Sequence, residues 1–402
     1  MKKIALLGFG TVGQGVYKIL LERKDKIKEI LNHEITIKTI LVNNINKKRD
    51  IDSNVILTDN IDDILNDPEI DIVVELTGAL EQGFDYISKS FKAKKYVVTA
   101  NKSVVSAYFK ELHDIATENK VKFLYEASVG GGIPIIKPLK EETMLNDISS
   151  LQGILNGTCN YILTRMFNEK LSYKDILKDA QNLGYAEADP TADVEGLDTM
   201  RKLRILSSIA FGVNINEENI DTFGISSISL DDIEYLQANN STVKLLATST
   251  TSNYGYTAFV EPTIVSNDDY FSSVNMAFNS ISFEGNNIGP LKFYGAGAGM
   301  LPTGDAVCRD IIDMFLDNRS LGNYALKEAE NLNRKVKGNY YFRTNNKSLF
   351  EKLEKEYQYT DKVIKNNTFI IILKDISKFK ILELVEEFNI PSNKYFLAKV
   401  GY

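Results

Sequence analysis

Five carboxylates, Glu187, Asp189, Asp193, Glu195 and Asp198, crowd one short stretch of this 402-residue chain, which runs on into Thr199-Met200-Arg201-Lys202. Taken alone, such a run reads as an acidic surface loop capping the next helix. Two details favour chemistry. Asp198 and Lys202 are four apart at the start of a helical pattern, so they share a face and can pair. Leu203, Ile205, Leu206 and Ile209 are apolar enough to bury that helix on most sides, where charged residues are rare unless paired.

Three further segments place reactive groups at the ends of elements. Lys102 closes Val98-Thr99-Ala100-Asn101-Lys102 at the carboxyl end of a predicted strand, where open α/β sheets bind ligands. Glu126-Ala127-Ser128-Val129-Gly130-Gly131-Gly132-Ile133-Pro134 follows another strand. Asn156-Gly157-Thr158-Cys159-Asn160-Tyr161 opens a helix. Thr158 can N-cap it, or the first backbone donors can hold a substrate carboxylate. Histidine occurs only at His33 and His113, so proton chemistry must run largely on other groups.

These residues need a scaffold. Lys2–Leu7 reads as a buried strand, followed by Gly8-Phe9-Gly10-Thr11-Val12-Gly13 and a helical pattern at Val16, Ile19 and Leu20. Strand, Gly-x-Gly-x-x-Gly, helix is the context of a dinucleotide fingerprint. Gly8 permits the tight turn, Gly10 lets the backbone approach a pyrophosphate, and Gly13 allows close packing. Strands are predicted at 35–42, 71–76, 96–99 and 121–125, with helices at 60–67, 81–94 and 103–119. That alternation predicts a parallel, doubly wound Rossmann sheet. After the second strand the usual acid is missing, and Asn43-Asn44 precedes Lys47-Lys48-Arg49. The cations would tolerate a 2′-phosphate, but a solvated basic loop is an equal reading, so NADP is favoured over NAD only slightly.

From about residue 135 strands at 148–155, 242–250, 256–265, 274–284 and 291–295 mix with helices at 159–168, 173–183 and 197–211, an α+β architecture. The dense glycines of Tyr294-Gly295-Ala296-Gly297-Ala298-Gly299 imply close backbone approach to a ligand or a strand. Pro302-Thr303-Gly304 leads into a helix predicted from Asp305, and a polar linker follows from 317 to 338. The tail reads strand, helix, short strand, strand, helix, strand.

Composition narrows the class. A net charge of −7 argues against general nucleic-acid or anionic-membrane binding. Cys159 and Cys308 are far apart and fit a reducing compartment as core residues. Gly8 cuts short the apolar run that imitates a secretory signal, and no stretch approaches the ~20 apolar residues of a membrane span. A cytoplasmic protein is expected.

The motifs GFGTVG at 8–13, ELTG at 75–78, ANK at 100–102, EASVGGGIP at 126–134, GILNGTCNYIL at 153–163, LGYAEADPTADVEGLDTMRKL at 183–203 and YGAGAGMLPT at 294–303 resemble the homoserine dehydrogenase family, in order and over most of the chain. The resemblance implies a dinucleotide-binding domain at 1–134, to which helix 305–317 returns. It also implies a substrate and oligomerisation domain at 135–304 and a divergent ACT-like tail at 339–402. It implies NAD(P)-dependent interconversion of L-homoserine and L-aspartate 4-semialdehyde, in threonine, methionine and isoleucine biosynthesis, by a homodimer or homotetramer. Lys102 and Lys202 would face each other across the reacting carbon, with Asp198 supporting Lys202. Substrate contacts would come from Glu187, Asp193, Asp198, Asn156, Gly157, Thr158, Gly184 and Tyr185. Cofactor contacts would come from Gly8, Phe9, Gly10, Thr11, Val12, Gly13, Asn43, Thr77, Gly78, Asn101, Lys102 and Gly304. A monovalent cation, usually sodium, would rest on Glu126, Val129, Gly131 and Ile133, largely through backbone oxygens.

The chemistry agrees with that carry-over. Reduction of an aldehyde leaves alkoxide charge on oxygen, which an ammonium can protonate. Oxidation needs a neutral lysine, a poor base near its ordinary pKa of ~10.4. Two lysines around one oxygen would lower each other's proton affinity, and Asp198 would oppose that shift. An aspartate-semialdehyde dehydrogenase would need a nucleophilic thiol, and the surroundings of Cys159 match the homoserine family instead. A silent nucleotide sensor would have no need to keep Lys102, Asp198 and Lys202 together. Asn43 stands where NADP-preferring members often carry Arg, and Asp305 at the expected helix start could cap it or repel a phosphate. The tail lacks the Asp-x-Pro-Gly ligand loop, so threonine inhibition is not expected and pairing of tails is an equal reading.

Overall fold

Ile4, Ala5, Leu6 and Leu7 are fully buried, as a strand covered by helices on both faces must be. The computed structural model describes residues 2–316 and 326–401. It divides into two compact units: 1–147, 204–217 and 293–328 form one, and 148–203, 218–292 and 329–402 the other.

The first unit holds β1 (Lys2–Leu7), β2 (Ile35–Leu41), β3 (Ile56–Thr58), β4 (Ile70–Glu75), β5 (Tyr96–Thr99) and β6 (Phe123–Leu124). All pairs are parallel, in the order β3-β2-β1-β4-β5-β6. That is the Rossmann order, with its switch point between β1 and β4. The helix after β1 spans Thr11–Glu22, and helices Leu80–Lys92, Lys102–Ala107 and Phe109–Asn119 follow β4 and β5. Tyr108 breaks what 103–119 predicted as one helix.

A later helix, Met300–Leu316, packs on Thr11–Glu22. It starts earlier than the predicted Asp305, because Pro302 lies in its first turn, where a missing N–H costs nothing. Asp305 is therefore inside the helix and pairs with Arg309 at 3.1 Å. Glycine permits this packing: a Cβ on Gly15 would fall 2.2 Å from the Met300 carbonyl oxygen, and one on Gly304 2.9 Å from the Gly15 backbone.

The second unit is organised by one mixed sheet. Its strands are β7 (Ile148–Ile154), β8 (Asp221–Thr222), β9 (Ser241–Ser252), β10 (Gly255–Ser266), β11 (Phe278–Gly285), β12 (Gly289–Ala296, of which 293–296 are counted with the first unit), β13 (Gly338–Thr344), β14 (Tyr359–Lys365), β15 (Thr368–Ile376) and β16 (Tyr395–Val400). Their order is β12-β11-β7-β9-β10-β16-β13-β15-β14, with β8 beside β10. The tail is thus a β-α-β-β-α-β unit whose last strand pairs with β10 in parallel, Thr263 with Lys399 and Ile264 with Val400.

Two buried ionic contacts join the tail to the body of this unit. Arg343 Nε sits 2.8 and 2.9 Å from the two oxygens of Asp232, which also accepts from Tyr341 Oη at 2.7 Å. Lys378 pairs with Asp221 and lies 3.0 Å from Glu261. Of the expected linker, 317–325 lies outside the described residues. The remainder is docked: Asn333 is buried, donating to the Ala258 carbonyl and accepting from its N–H at 2.9 and 2.8 Å.

Candidate functional site

The glycine turn lies at the switch point of the Rossmann sheet. Gly8, at φ +102°, leaves 3.0 Å between a would-be Cβ and the Leu76 carbonyl oxygen after β4. A Cβ on Gly13 would stand 2.7 Å from the Gly8 carbonyl oxygen, so that glycine serves packing. Around Gly10, and around Gly78 at φ +73°, no described atom beyond the adjoining chain lies within 4 Å of a would-be Cβ. Gly10 N-caps the helix with no side-chain cap bond, leaving the first-turn amides to face an anion. The residues present fit a dinucleotide. A cleft of about 660 Å³ lies alongside, lined by Phe9, Gln14, Tyr17, Lys18, Lys47, Lys48 and Arg49.

Thr77 and Lys102 follow β4 and β5 at the same edge of that sheet. Lys102 is the first residue of its helix, and Asn101 caps it by accepting from the Val104 N–H at 3.3 Å. Beside Glu126 the loop turns through Gly130 and Gly131 at φ +76° and +56°. A Cβ on Gly131 would fall 2.5 Å from the Gly297 backbone, and Gly132 N donates to the Ala296 carbonyl at 3.1 Å. The dense glycines at 295–299 therefore serve backbone-to-backbone approach. The Glu126 carboxylate is engaged by the N–H groups of Ile135, Ile136 and Lys137 at 2.6, 2.8 and 2.7 Å. A cation among Glu126, Val129, Gly131 and Ile133 would therefore rest on main-chain oxygens.

The buried polar cluster of the second unit is built around Asn156. Its Oδ1 accepts from the Cys159 N–H at 2.8 Å, so Asn156 rather than Thr158 caps helix Gly157–Glu169. Its Nδ2 donates to Asp193 Oδ1 at 2.7 Å and Asp198 Oδ2 at 2.9 Å. Asp198 and Lys202 lie on helix Leu197–Phe211, whose entry turns at Gly196, φ +83°. Lys202 Nζ donates to Asp198 Oδ2 at 2.7 Å and to the Leu155 carbonyl at 2.6 Å. Asp198 and Lys202 are 3% and 7% exposed, so this is a buried charge pair rather than a surface ornament.

Other expected positions border this cluster. Thr158 Oγ1 donates to the Tyr185 carbonyl at 2.7 Å, and the Tyr185 ring stacks on Tyr161. A Cβ on Gly157 would fall 2.8 Å from the Ala277 carbonyl oxygen. Gly184, at φ +78°, and Glu187 are exposed, and the Glu187 carbonyl accepts from Gln181 Nε2 at 3.1 Å. Glu187 is not among the residues bonded around Asn156. Burial pushes the Cys159 thiol well above its ordinary pKa, as the carboxylates nearby also do, which removes it as a nucleophile. Two participants went unassigned from sequence: the Leu155 carbonyl, which no side-chain pattern reveals, and Glu75. An acid directly after the apolar run Ile72-Val73-Val74 of a parallel strand is the available signal for the latter.

An open glycine turn at the switch point of a parallel sheet is the arrangement of dinucleotide-dependent oxidoreductases. A family model described as "Homoserine dehydrogenase, NAD binding domain" matches residues 8–126, and one described as "Homoserine dehydrogenase" matches 134–312. Homoserine dehydrogenase of Bacillus subtilis is 40% identical over 318 residues, 79% of this chain and 73% of that protein. That of Synechocystis is 42% identical, over 78% of this chain and 73% of its own. The crystal structure of a homoserine dehydrogenase from Thiobacillus denitrificans superposes with a TM-score of 0.90 at 33% identity, covering 99% of this chain and 98% of that one. The chain belongs to the homoserine dehydrogenase family. Its activity is the NAD(P)-dependent interconversion of L-homoserine and L-aspartate 4-semialdehyde.

Proposed function

We propose that Lys202 is the proton donor and acceptor of this reaction, and that Lys102 polarises the reacting oxygen and contacts the cofactor. The observation that carries this is Lys202 Nζ held between the Leu155 carbonyl and Asp198 at 2.6 and 2.7 Å. Hydride addition to the aldehyde carbon leaves an alkoxide, to which the ammonium gives a proton. The resulting amine has two N–H groups for those two acceptors, so it keeps its position in both protonation states. In the oxidation direction the same amine takes the hydroxyl proton. The nicotinamide, when bound, supplies or accepts the hydride.

Asp193, Asp198 and Asn156 hold the polar wall on which the amino-acid end of the substrate rests, with Glu187, Gly157, Thr158, Gly184 and Tyr185 at its border. Gly8–Gly13, Thr77, Gly78, Asn101 and Lys102 hold the dinucleotide, with Asn43 and Gly304 at the edges of that surface. Lys47, Lys48 and Arg49 in the adjoining cleft favour NADP by charge. Sodium on the main-chain oxygens of Glu126, Val129, Gly131 and Ile133 would order the glycine loop. The tail's strand and helix order supports an ACT-like unit, and an oligomeric cytoplasmic enzyme is the fitting setting. No helix among the described residues is long and apolar enough to cross a membrane.

Lys202→Ala tests the assignment. We expect kcat to fall by about 10²–10⁴-fold while nucleotide still binds. Near-wild-type turnover would overturn it.

A further inference from the structure

Glu75 ends β4 and is fully buried, directly after Ile72, Val73 and Val74, which are themselves fully buried. Its carboxylate gathers donors from two separate turns. Oε1 accepts from the Thr77 N–H at 2.8 Å and from Thr77 Oγ1 at 2.5 Å, both in the turn after β4. Oε2 accepts from Thr99 Oγ1 at 2.6 Å, at the end of β5. Asn101 Nδ2 also approaches Oε1, at 3.4 Å.

The second turn is tied further by what Glu75 holds. Thr99 Oγ1 accepts from the Asn101 N–H at 2.9 Å, and Asn101 Nδ2 donates to the Ala79 carbonyl at 2.9 Å. Asn101 Oδ1 then caps the helix whose first residue is Lys102. Helix Leu80–Lys92 closes over this network at Gly83, where a Cβ would fall 2.9 Å from Asn101 Nδ2 and 3.5 Å from Glu75 Oε1. A solvated acid would satisfy itself with water; this one spends its lone pairs on the turns that carry Thr77 and Lys102.

The structure assigns Glu75 as a positioning residue that fixes the start of the Lys102 helix against the turn at Thr77 and Gly78. The inference rests on the reading of Lys102 as a group that touches the reacting oxygen. Glu75 acts on the reaction through Lys102 and does not itself exchange a proton with substrate.

The test is a double-mutant cycle on the full chain with Glu75→Gln and Lys102→Met. Rates are read as single turnovers at high enzyme concentration, so that slow variants stay measurable. Gln keeps the volume of Glu75 but can satisfy only one of the two turns as an acceptor. Glu75→Gln is expected to slow turnover by about tenfold to a hundredfold in the Lys102 enzyme and by less than about twofold in the Lys102→Met enzyme, as residues acting as a unit do. Equal losses in both backgrounds, or wild-type turnover of Glu75→Gln, would overturn the inference. Should Glu75→Gln fail to fold, Thr99→Val, which removes the Oε2 partner alone, is put through the same cycle with the same criterion. Unchanged turnover of Lys102→Met by itself would instead remove the role given to Lys102.

Discussion

Asn156 Nδ2 lies 2.9 Å from Asp198 Oδ2, joining positions 42 residues apart in the chain. The same nitrogen reaches Asp193 and the same side chain caps a helix, so one amide fixes a helix start and separates two carboxylates.

Cap and bridge can be pulled apart by substitution. Asn156→Ala should cost about 1 kcal/mol as a lost cap and lower kcat as well. Asn156→Asp keeps a capping oxygen but sets a third carboxylate between two others. We expect it to retain the cap's share of stability and still to lose kcat at least as severely as Asn156→Ala. Urea unfolding and steady-state kinetics on both variants check this, and parallel losses of stability and activity would count against it.

Arg343 and Asp232 form the better satisfied of the two buried contacts between the tail and its unit. Replacing Arg343 by Met removes the charge partner of a carboxylate that is fully buried, leaving it the neutral donors Tyr341 and Ser229. Such a broken buried pair typically costs about 3–5 kcal/mol. The denaturation midpoint should drop accordingly, and a change below about 1 kcal/mol would show that water reaches Asp232.

His113 carries a pH signature. It is buried, with Nε2 2.9 Å from Tyr125 Oη, and desolvation, aided by the charges of Lys140 and Arg204, holds its pKa well below the ordinary value. Below about pH 6.5 the unfolded chain therefore binds a proton that the folded chain refuses. Stability is full above that pH and is lost as the pH falls, by at most about 1.4 kcal/mol per pH unit. Asp310 works in the opposite sense, since burial and the Glu126 charge raise its pKa. The difference between wild type and His113→Gln isolates the histidine. Urea midpoints from pH 7 to 5 should fall more steeply for wild type, and equal slopes would refute the assignment.

The basic stretch beside the glycine turn makes a cofactor prediction. Exchanging Lys47, Lys48 and Arg49 together for Ala should raise KM for NADP by about tenfold or more and leave KM for NAD within about twofold, because only the 2′-phosphate meets those cations. Equal effects on both nucleotides would mean that the loop is a solvated surface.

The Rossmann half was readable because each of its signals is local: an apolar strand, three spaced glycines, a helix. Tyr96–Thr99 appears with its predicted bounds, and Asp198 and Lys202 pair as their spacing requires. What escaped depended on partners distant in sequence. Thr158 looked like a cap by type, yet Asn156 two residues earlier has the geometry. The Leu155 carbonyl is a backbone atom, invisible to any residue pattern. Gly15 carries no signal alone, and only its close approach to Met300 and Gly304, distant in sequence, explains it. The polar composition of 326–338 predicted a linker, because a segment fastened by Asn333 to Ala258 and by its backbone at Glu330 and Leu332 to Tyr256 leaves no hydrophobic period to read.

The place of β16 has a consequence for how this protein is made. β16 lies between β10 and β13, inside the sheet and not at its rim. While the chain grows on the ribosome, the edge of β10 at Thr263 and Ile264 has no such neighbour until residues 395–400 emerge. At about 5–20 residues per second that interval is on the order of ten seconds. An unpaired edge exposed for so long invites association with other nascent chains. Polysome crowding or premature termination within the tail should therefore lower the yield of soluble enzyme, even though every residue bonded around Asn156 has been synthesised by then.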